Sequence, residues 1–135
     1  MSVTLTAQDK ATLRTAAYGA VTLIAAADVA GSPHKAATAG SLALYSATGP
    51  IGHVLAEKKS DIGLDGKSVA AIADHVLPAL TAAMSLLKQQ DPAEAGDFRA
   101  TVLVAVEAAA QTGKGVPSPT VTEMARKITA ALDAV

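Results

Sequence analysis

The sequence contains no cysteine and no tryptophan, and aromatic residues make up only 2% of its 135 residues. The lack of cysteine excludes disulfides, thiolate zinc sites, cysteine nucleophiles and cysteine-ligated iron–sulfur clusters. The first nine residues, MSVTLTAQD, lack the basic segment and apolar run that form a signal peptide. We therefore expect a cytoplasmic protein.

Charged residues are also scarce, at 17% of the chain, and 11 basic residues are balanced by 12 acidic ones. Because the two signs are interspersed, the sequence has no basic patch of the kind that dominates nucleic-acid affinity. The most apolar window, residues 69–87, contains Asp74 and His75, which are costly in the middle of a bilayer. We expect neither a nucleic acid nor a membrane as a partner.

Alanine supplies much of the hydrophobic content, with 32 of the 135 residues. A chain of this length is expected to form one domain and is long enough to bury a core. That core must be built largely from small side chains. The composition therefore favours an alanine-rich protein with closely packed elements.

Helix-capping residues and prolines divide the chain into six predicted helices. The hydroxyl of Thr6, followed three residues later by Asp9, is a variant of the capping box that opens a helix. Asp91 and Pro92 place a capping side chain before a proline at the first helical position. The predicted helices cover residues 7–30, 33–48, about 51–59, 67–90, 92–113 and 120–134.

We therefore predict an all-α fold, a compact bundle of five or six helices in a single domain over residues 1–135. An α+β alternative stays open, because the β-branched residues between Ala100 and Val106 also suit a buried strand. Such a strand needs a partner, and the one other alternating segment is Val3-Thr4-Leu5.

Apolar periodicity predicts different positions for the helices. In the fourth and sixth helices the large apolar residues share one face, as in helices that lie on a core. In the fifth helix apolar residues extend almost all round, from Val102 to Ala109, which predicts a central helix. Small residues such as Ala20 and Gly40 line the first two helices and predict a close approach of their backbones.

Residues 61–68, DIGLDGKS, resemble the P-loop pattern, in which backbone N–H groups cradle a phosphate and a lysine neutralises it. Asp61 replaces the first glycine of that pattern, and a helix precedes the segment where the motif requires a strand. The segment also fails as a calcium loop, since its twelfth position is Ile72 and not a bidentate glutamate. We interpret it as an interhelical turn, with Asp65 or Ser68 capping the next helix.

Histidines offer little support for catalysis or metal binding. His53 and Glu57 are four residues apart, a spacing that lets two side chains meet one metal ion, but no third ligand accompanies them. Asp74 and His75 are adjacent, and adjacent side chains on a helix point about 100° apart. We expect no metal, no cofactor and no catalytic residue, with these polar residues exposed.

Two carboxylates are not explained by composition. Asp28 lies on the apolar face of the first helix, in the last turn, where the helix dipole disfavours a negative charge, so it should pair with a group such as His34 or Lys35. Glu107 is the one charged residue in the apolar part of the fifth helix. It marks either the exposed edge of that helix or a buried functional carboxylate. Asp28 and Glu107 are the candidate ligand-binding residues.

Three functional hypotheses follow. The first is a non-enzymatic helical interaction module that self-associates, with a dimer as the expected homo-oligomer, because little charge keeps its apolar surfaces apart. The second is a helical bundle that binds a small apolar ligand in a cavity between helices. The third is an enzyme that uses carboxylates and histidines as its acid and base. The absence of a catalytic constellation favours the first two.

Overall fold

The computed structural model describes residues 5–27, 33–47, 49–56, 68–111 and 118–135. About 90% of these residues are helical, and none of them is in a strand. Within the described ranges the helices are α1 (Ala7–Ala27), α2 (Pro33–Tyr45), α3 (Gly49–Ala56), α4 (Val69–Gln90), α5 (Pro92–Ala110) and α6 (Pro119–Leu132). The prediction of an all-α bundle is confirmed.

The alternative of a buried strand between Ala100 and Val106 is wrong, because α5 runs through the whole segment. A strand would place Val102, Val104 and Val106 on one face. Instead, Val102 and Val106 are buried while Val104 is 60% exposed. The N-cap at Asp91 and the apolar surfaces that meet this helical face override the strand propensity of the β-branched residues.

The most buried helix is α1, and the prediction that neighbours cover the fifth helix almost all round is wrong. Both α1 and α5 pack against each of the other five helices. Twelve of the 21 residues of α1 are buried, compared with six of the 19 residues of α5. By contrast, α5 buries one face and exposes Val104 and Glu107. Alanine and glycine occupy most sides of α1, for example at Ala17 and Gly19, so neighbouring helices can pack closely on most of its surface.

One-sided burial of α4 and α6 is confirmed. The buried residues of α4 recur at helical spacing, as do those of α6. In α4 these are Ile72, Val76, Leu80, Ala83, Met84 and Leu87, and in α6 they are Val121, Met124, Ile128 and Leu132. Both helices therefore cover the core with one face.

Among the described helices, α4 is long enough and apolar enough to cross a membrane by length and composition. Core helices meet the same criterion, and α4 packs against α1, α5 and α6. Its exposed residues include Asp74, His75, Pro78 and Lys88. The apolar character of α4 therefore accompanies a face that packs on the bundle.

Hydrogen-bonded caps explain where the helices begin. The Thr6 N–H donates to Asp9 Oδ2 at 3.1 Å, and the Asp9 N–H donates to Thr6 Oγ1 at 3.0 Å, which confirms the predicted capping box. Ser68 Oγ accepts from the backbone of α4, so Ser68 is the cap proposed for that helix. Ser118 caps α6 ahead of Pro119, and α6 therefore begins one residue before the predicted start.

Two tertiary contacts position α6. Arg99 on α5 donates Nε to Asp133 Oδ1 at 2.7 Å and Nη2 to Asp133 Oδ2 at 3.1 Å. Thr81 on α4 donates its hydroxyl to the carbonyl oxygen of Ala131 at 2.8 Å. Both contacts hold the C-terminal end of α6. The candidate site lies toward the opposite end of this helix pair, between the second half of α5 and the first turns of α6.

Candidate functional site

A groove of about 300 Å³ lies between α5 and α6. Leu103, Val106, Glu107 and Ala110 line it from α5, and Val121, Thr122, Ala125 and Thr129 line it from α6. Most of this lining is apolar, and its volume is at the lower end of the range of about 300–1,000 Å³ that is typical of small-molecule sites.

Glu107 supplies the charge in this lining. Its side chain is exposed, so of the two interpretations considered for it, the structure places it at the solvent-facing edge of α5. Arg99–Asp133 and Glu123–Arg126 are the ion pairs that the structure shows between described residues, and Glu107 belongs to neither. A carboxylate beside an apolar groove matches the usual arrangement of binding sites, in which a few polar groups orient a ligand.

Polar groups from α6 complete the lining. The hydroxyl of Thr129 donates to the carbonyl oxygen of Ala125 at 3.0 Å. Thr122 lies about two turns nearer the start of α6 and is exposed at the groove. The walls therefore combine apolar side chains with one carboxylate and two hydroxyls.

A second groove of about 360 Å³ lies between the first half of α1 and the middle of α4. Its lining includes Gln8, Thr12 and Thr15 from α1, with His75 and Pro78 from α4. Since proline has no N–H, Pro78 removes the helical hydrogen bond to the carbonyl of Asp74. Among the described residues, the lining of this groove contains a histidine without a carboxylate, and the lining of the α5–α6 groove contains a carboxylate without a histidine. In the described part of either lining, no acid is therefore paired with a histidine base.

A buried polar cluster on α1 was not predicted. Arg14 is 8% exposed and is the one buried charged side chain among the described residues. Tyr18, one turn later, is also buried and donates its hydroxyl to the carbonyl oxygen of Leu55 at 2.6 Å. The ring of Tyr18 lies 6.1 Å from that of Tyr45 on α2, with the planes tilted by 57°. This cluster ties α1 to α2 and α3.

Burial has an electrostatic consequence for Tyr18. Loss of water around the phenol, followed by the charge and hydrogen bond of Tyr45, raises the pKa of Tyr18 to about 12, although Arg14 opposes the change. The neutral phenol is the form that donates to Leu55. The cluster is therefore a structural tie, and the i, i+4 spacing of Arg14 and Tyr18 in an alanine-rich helix was the sequence signal for it.

Other predicted candidates lie outside the described residues. These are Asp28, Glu57 and residues 61–67 of the P-loop-like segment. His34 lies in α2, but its side chain is not among the described ones. His53 is exposed on α3, and Asp74 and His75 are exposed on α4 as expected. In the described part of the chain, no group of three or more histidine and carboxylate side chains is placed to hold a metal ion.

No family model, curated protein or solved structure matches this chain. Of the two candidate residues, Glu107 is the one that the described structure places on a groove.

Proposed function

We propose that this protein is a non-enzymatic binding module whose helical bundle holds a small apolar ligand in the groove between α5 and α6. The observation that supports it is the meeting of an apolar lining with Glu107 at one edge of the groove. Small side chains leave this space open, because Ala110 lines the groove from α5 and Ala125 lines it from α6. A leucine at either position would fill part of the groove.

A neutral environment-sensitive dye tests this function. We expect its fluorescence to rise with the wild-type protein and the increase to be lost in Ala110→Leu, which fills the groove. The matched control is Ala100→Leu, since Ala100 lies on the same helix, is exposed and does not line the groove. Equal dye binding by both variants, or no binding by the wild type, would contradict the proposal.

Native and denaturing mass spectrometry give a second test on protein purified from its native host. A bound ligand adds mass to the native species and is absent from the denatured chain. We expect Ala110→Leu to lose this added mass and Ala100→Leu to retain it. Retention by both variants would place the ligand elsewhere on the protein.

Self-association as a homodimer is the second candidate function. The two most exposed large apolar side chains among the described residues are Val104, at 60%, and Leu42, at 59%. They lie on α5 and α2, two helices that pack directly against each other. Exposed apolar side chains of this size are typical components of interfaces when they form a patch.

Light scattering after size exclusion tests the dimer. We expect a dimeric mass for the wild type and a shift toward the monomer in Leu42→Gln combined with Val104→Gln. Ala100→Gln is the control, because it adds an amide to the exposed surface of α5 without removing a large apolar side chain. A monomeric wild type over a wide concentration range would contradict self-association.

A further inference from the structure

We infer that the ligand of the α5–α6 groove carries a cationic amine at one end of an apolar body, with the carboxylate of Glu107 as its counter-ion. This inference rests on the proposed ligand-binding function and adds the chemical class of the ligand. It follows from the distribution of charge around the groove.

Among the described residues, the groove lining has one charged member, and that member is negative. An anionic ligand would place its charge beside Glu107, and the described part of the lining contains no cation to compensate it. A neutral apolar ligand would leave the carboxylate unused. A cationic end group is therefore the chemistry that complements the site.

Cations on the two helices do not compete for Glu107. Arg126 on α6 is paired with Glu123, with Nη2 and Oε2 2.6 Å apart. Arg99 on α5 is paired with Asp133. Lys127 is exposed two residues beyond Ala125, which places it about 200° around the helix from that groove residue.

The rest of the lining selects for an apolar body. Leu103 and Val106 from α5, with Val121 and Ala125 from α6, present aliphatic surface over most of the groove. A ligand with an ammonium group and a short hydrocarbon chain places its charge at Glu107 and buries the chain against these residues. Burial of the chain supplies affinity, and the ion pair supplies orientation.

Three probes of equal chain length test the inference at neutral pH: n-octylammonium, n-octanol and n-octanoate. Their affinities are measured by displacement of the neutral dye or by ligand-observed NMR. We expect n-octylammonium to bind about 1.5-fold to fivefold more tightly than n-octanol, which is the range for an exposed ion pair. We expect n-octanoate to bind more weakly than both.

Glu107→Gln keeps the shape of the side chain and removes its charge. In this variant we expect n-octylammonium to bind no better than n-octanol, while the affinity for n-octanol stays within about twofold of the wild type. The control is Asp97→Asn, since Asp97 is an exposed carboxylate on α5 outside the groove. It removes the same net charge from the protein and should retain the preference for n-octylammonium.

The outcomes separate the inference from the function on which it rests. Equal affinity of wild-type protein for n-octanol and n-octylammonium would overturn the amine and leave the apolar site standing. A preference for n-octylammonium that survives Glu107→Gln would also overturn it. If no probe binds in a manner sensitive to Ala110→Leu, the proposed ligand-binding function itself fails.

Discussion

Gly40 on α2 packs directly against Val21 on α1. A Cβ atom built at position 40 would lie 2.6 Å from Val21 Cγ1 and 2.8 Å from Val21 Cγ2, and 3.2 Å from the carbonyl oxygen of Ala105 on α5. The absence of a side chain at Gly40 therefore sets the distance between α2 and both of its larger neighbours. The side chain of Val21 fills this space on the α1 side and the backbone of α5 lies on the other, so the close approach of the α1 and α2 backbones stays a prediction.

Gly40→Ala should destabilise the protein although alanine is the better helix former. The gain in helix propensity is about 1 kcal/mol, whereas forcing a methyl group into a packed core costs about 1–3 kcal/mol. We expect a net loss in the free energy of unfolding, measured by urea denaturation. A stability equal to or above that of the wild type would show that Val21 yields without cost.

Gly96→Ala is the matched substitution without a steric cost. Gly96 lies in α5, and a Cβ atom there would meet nothing within 4 Å. We expect Gly96→Ala to stabilise the protein by about 0.5–1 kcal/mol. In a double-mutant cycle, Val21→Ala should reduce the cost of Gly40→Ala, because it removes the two methyl groups that the new Cβ would meet.

The positions of α4 and α6 could be predicted because their large aliphatic residues recur every three or four positions. The extensive burial of α1 could not, because alanine on most of its faces indicates no direction for burial. In α5 the sequence alone could not rank the exposure of Val104 against that of Val102. Burial of those valines depends on which neighbours pack against each side of the helix.

The sequence predicted one residue of the candidate site but not the shape of the groove. Glu107 stands out in the sequence because it is the one charge in an apolar stretch. The shape of the groove beside Glu107 depends on the spacing of α5 and α6. That spacing follows from contacts between residues far apart in the sequence, such as Arg99 and Asp133, which are 34 positions apart. Burial of Arg14 was not predicted either, because the alanines around it in α1 indicate no direction for burial.

Asp91 should contribute to two helices at once. Its N–H donates to the carbonyl oxygen of Leu87 at the end of α4, and its carboxylate accepts from the N–H of Ala93 at the start of α5, at 3.0 Å. We expect Asp91→Ala to destabilise the protein by about 0.5–2 kcal/mol through loss of the side-chain cap. Asp91→Asn retains an N-cap oxygen and should recover most of the loss; equal instability of both variants in thermal unfolding would exclude capping as the cause.

The Arg99–Asp133 pair should make stability depend on pH in acid. Hydrogen bonds from Arg99, together with the charges of Arg99 and Lys88, lower the pKa of Asp133, although desolvation opposes them. The stabilisation is therefore complete above the unfolded-state pKa of the carboxyl group and is lost as the pH falls through its lower folded-state pKa. Asp133→Asn should be less stable than the wild type at neutral pH, and the difference should vanish in strong acid. Glu123→Gln, which removes a more exposed pair, should change stability less.

Tyr18 should produce the opposite dependence in base. Because burial raises its folded-state pKa to about 12 from an ordinary value of 10.0, the protonated phenol is favoured by folding. Its stabilisation is complete below pH 10 and is lost as the pH rises toward 12, by about 2–3 kcal/mol in total. The free energy of unfolding of the wild type should therefore fall more steeply over this window than that of Tyr18→Phe.

The ionisation of Tyr18 can also be measured directly. Tyr45 is the other tyrosine in the sequence, so the near-ultraviolet absorbance of tyrosinate in Tyr45→Phe should report Tyr18 alone. Tyr45→Phe also removes the charge and hydrogen bond of Tyr45, so burial, the largest cause, is what remains to raise the pKa of Tyr18. Ionisation of that variant near pH 10, while circular dichroism still shows a folded helix bundle, would contradict burial as the main cause.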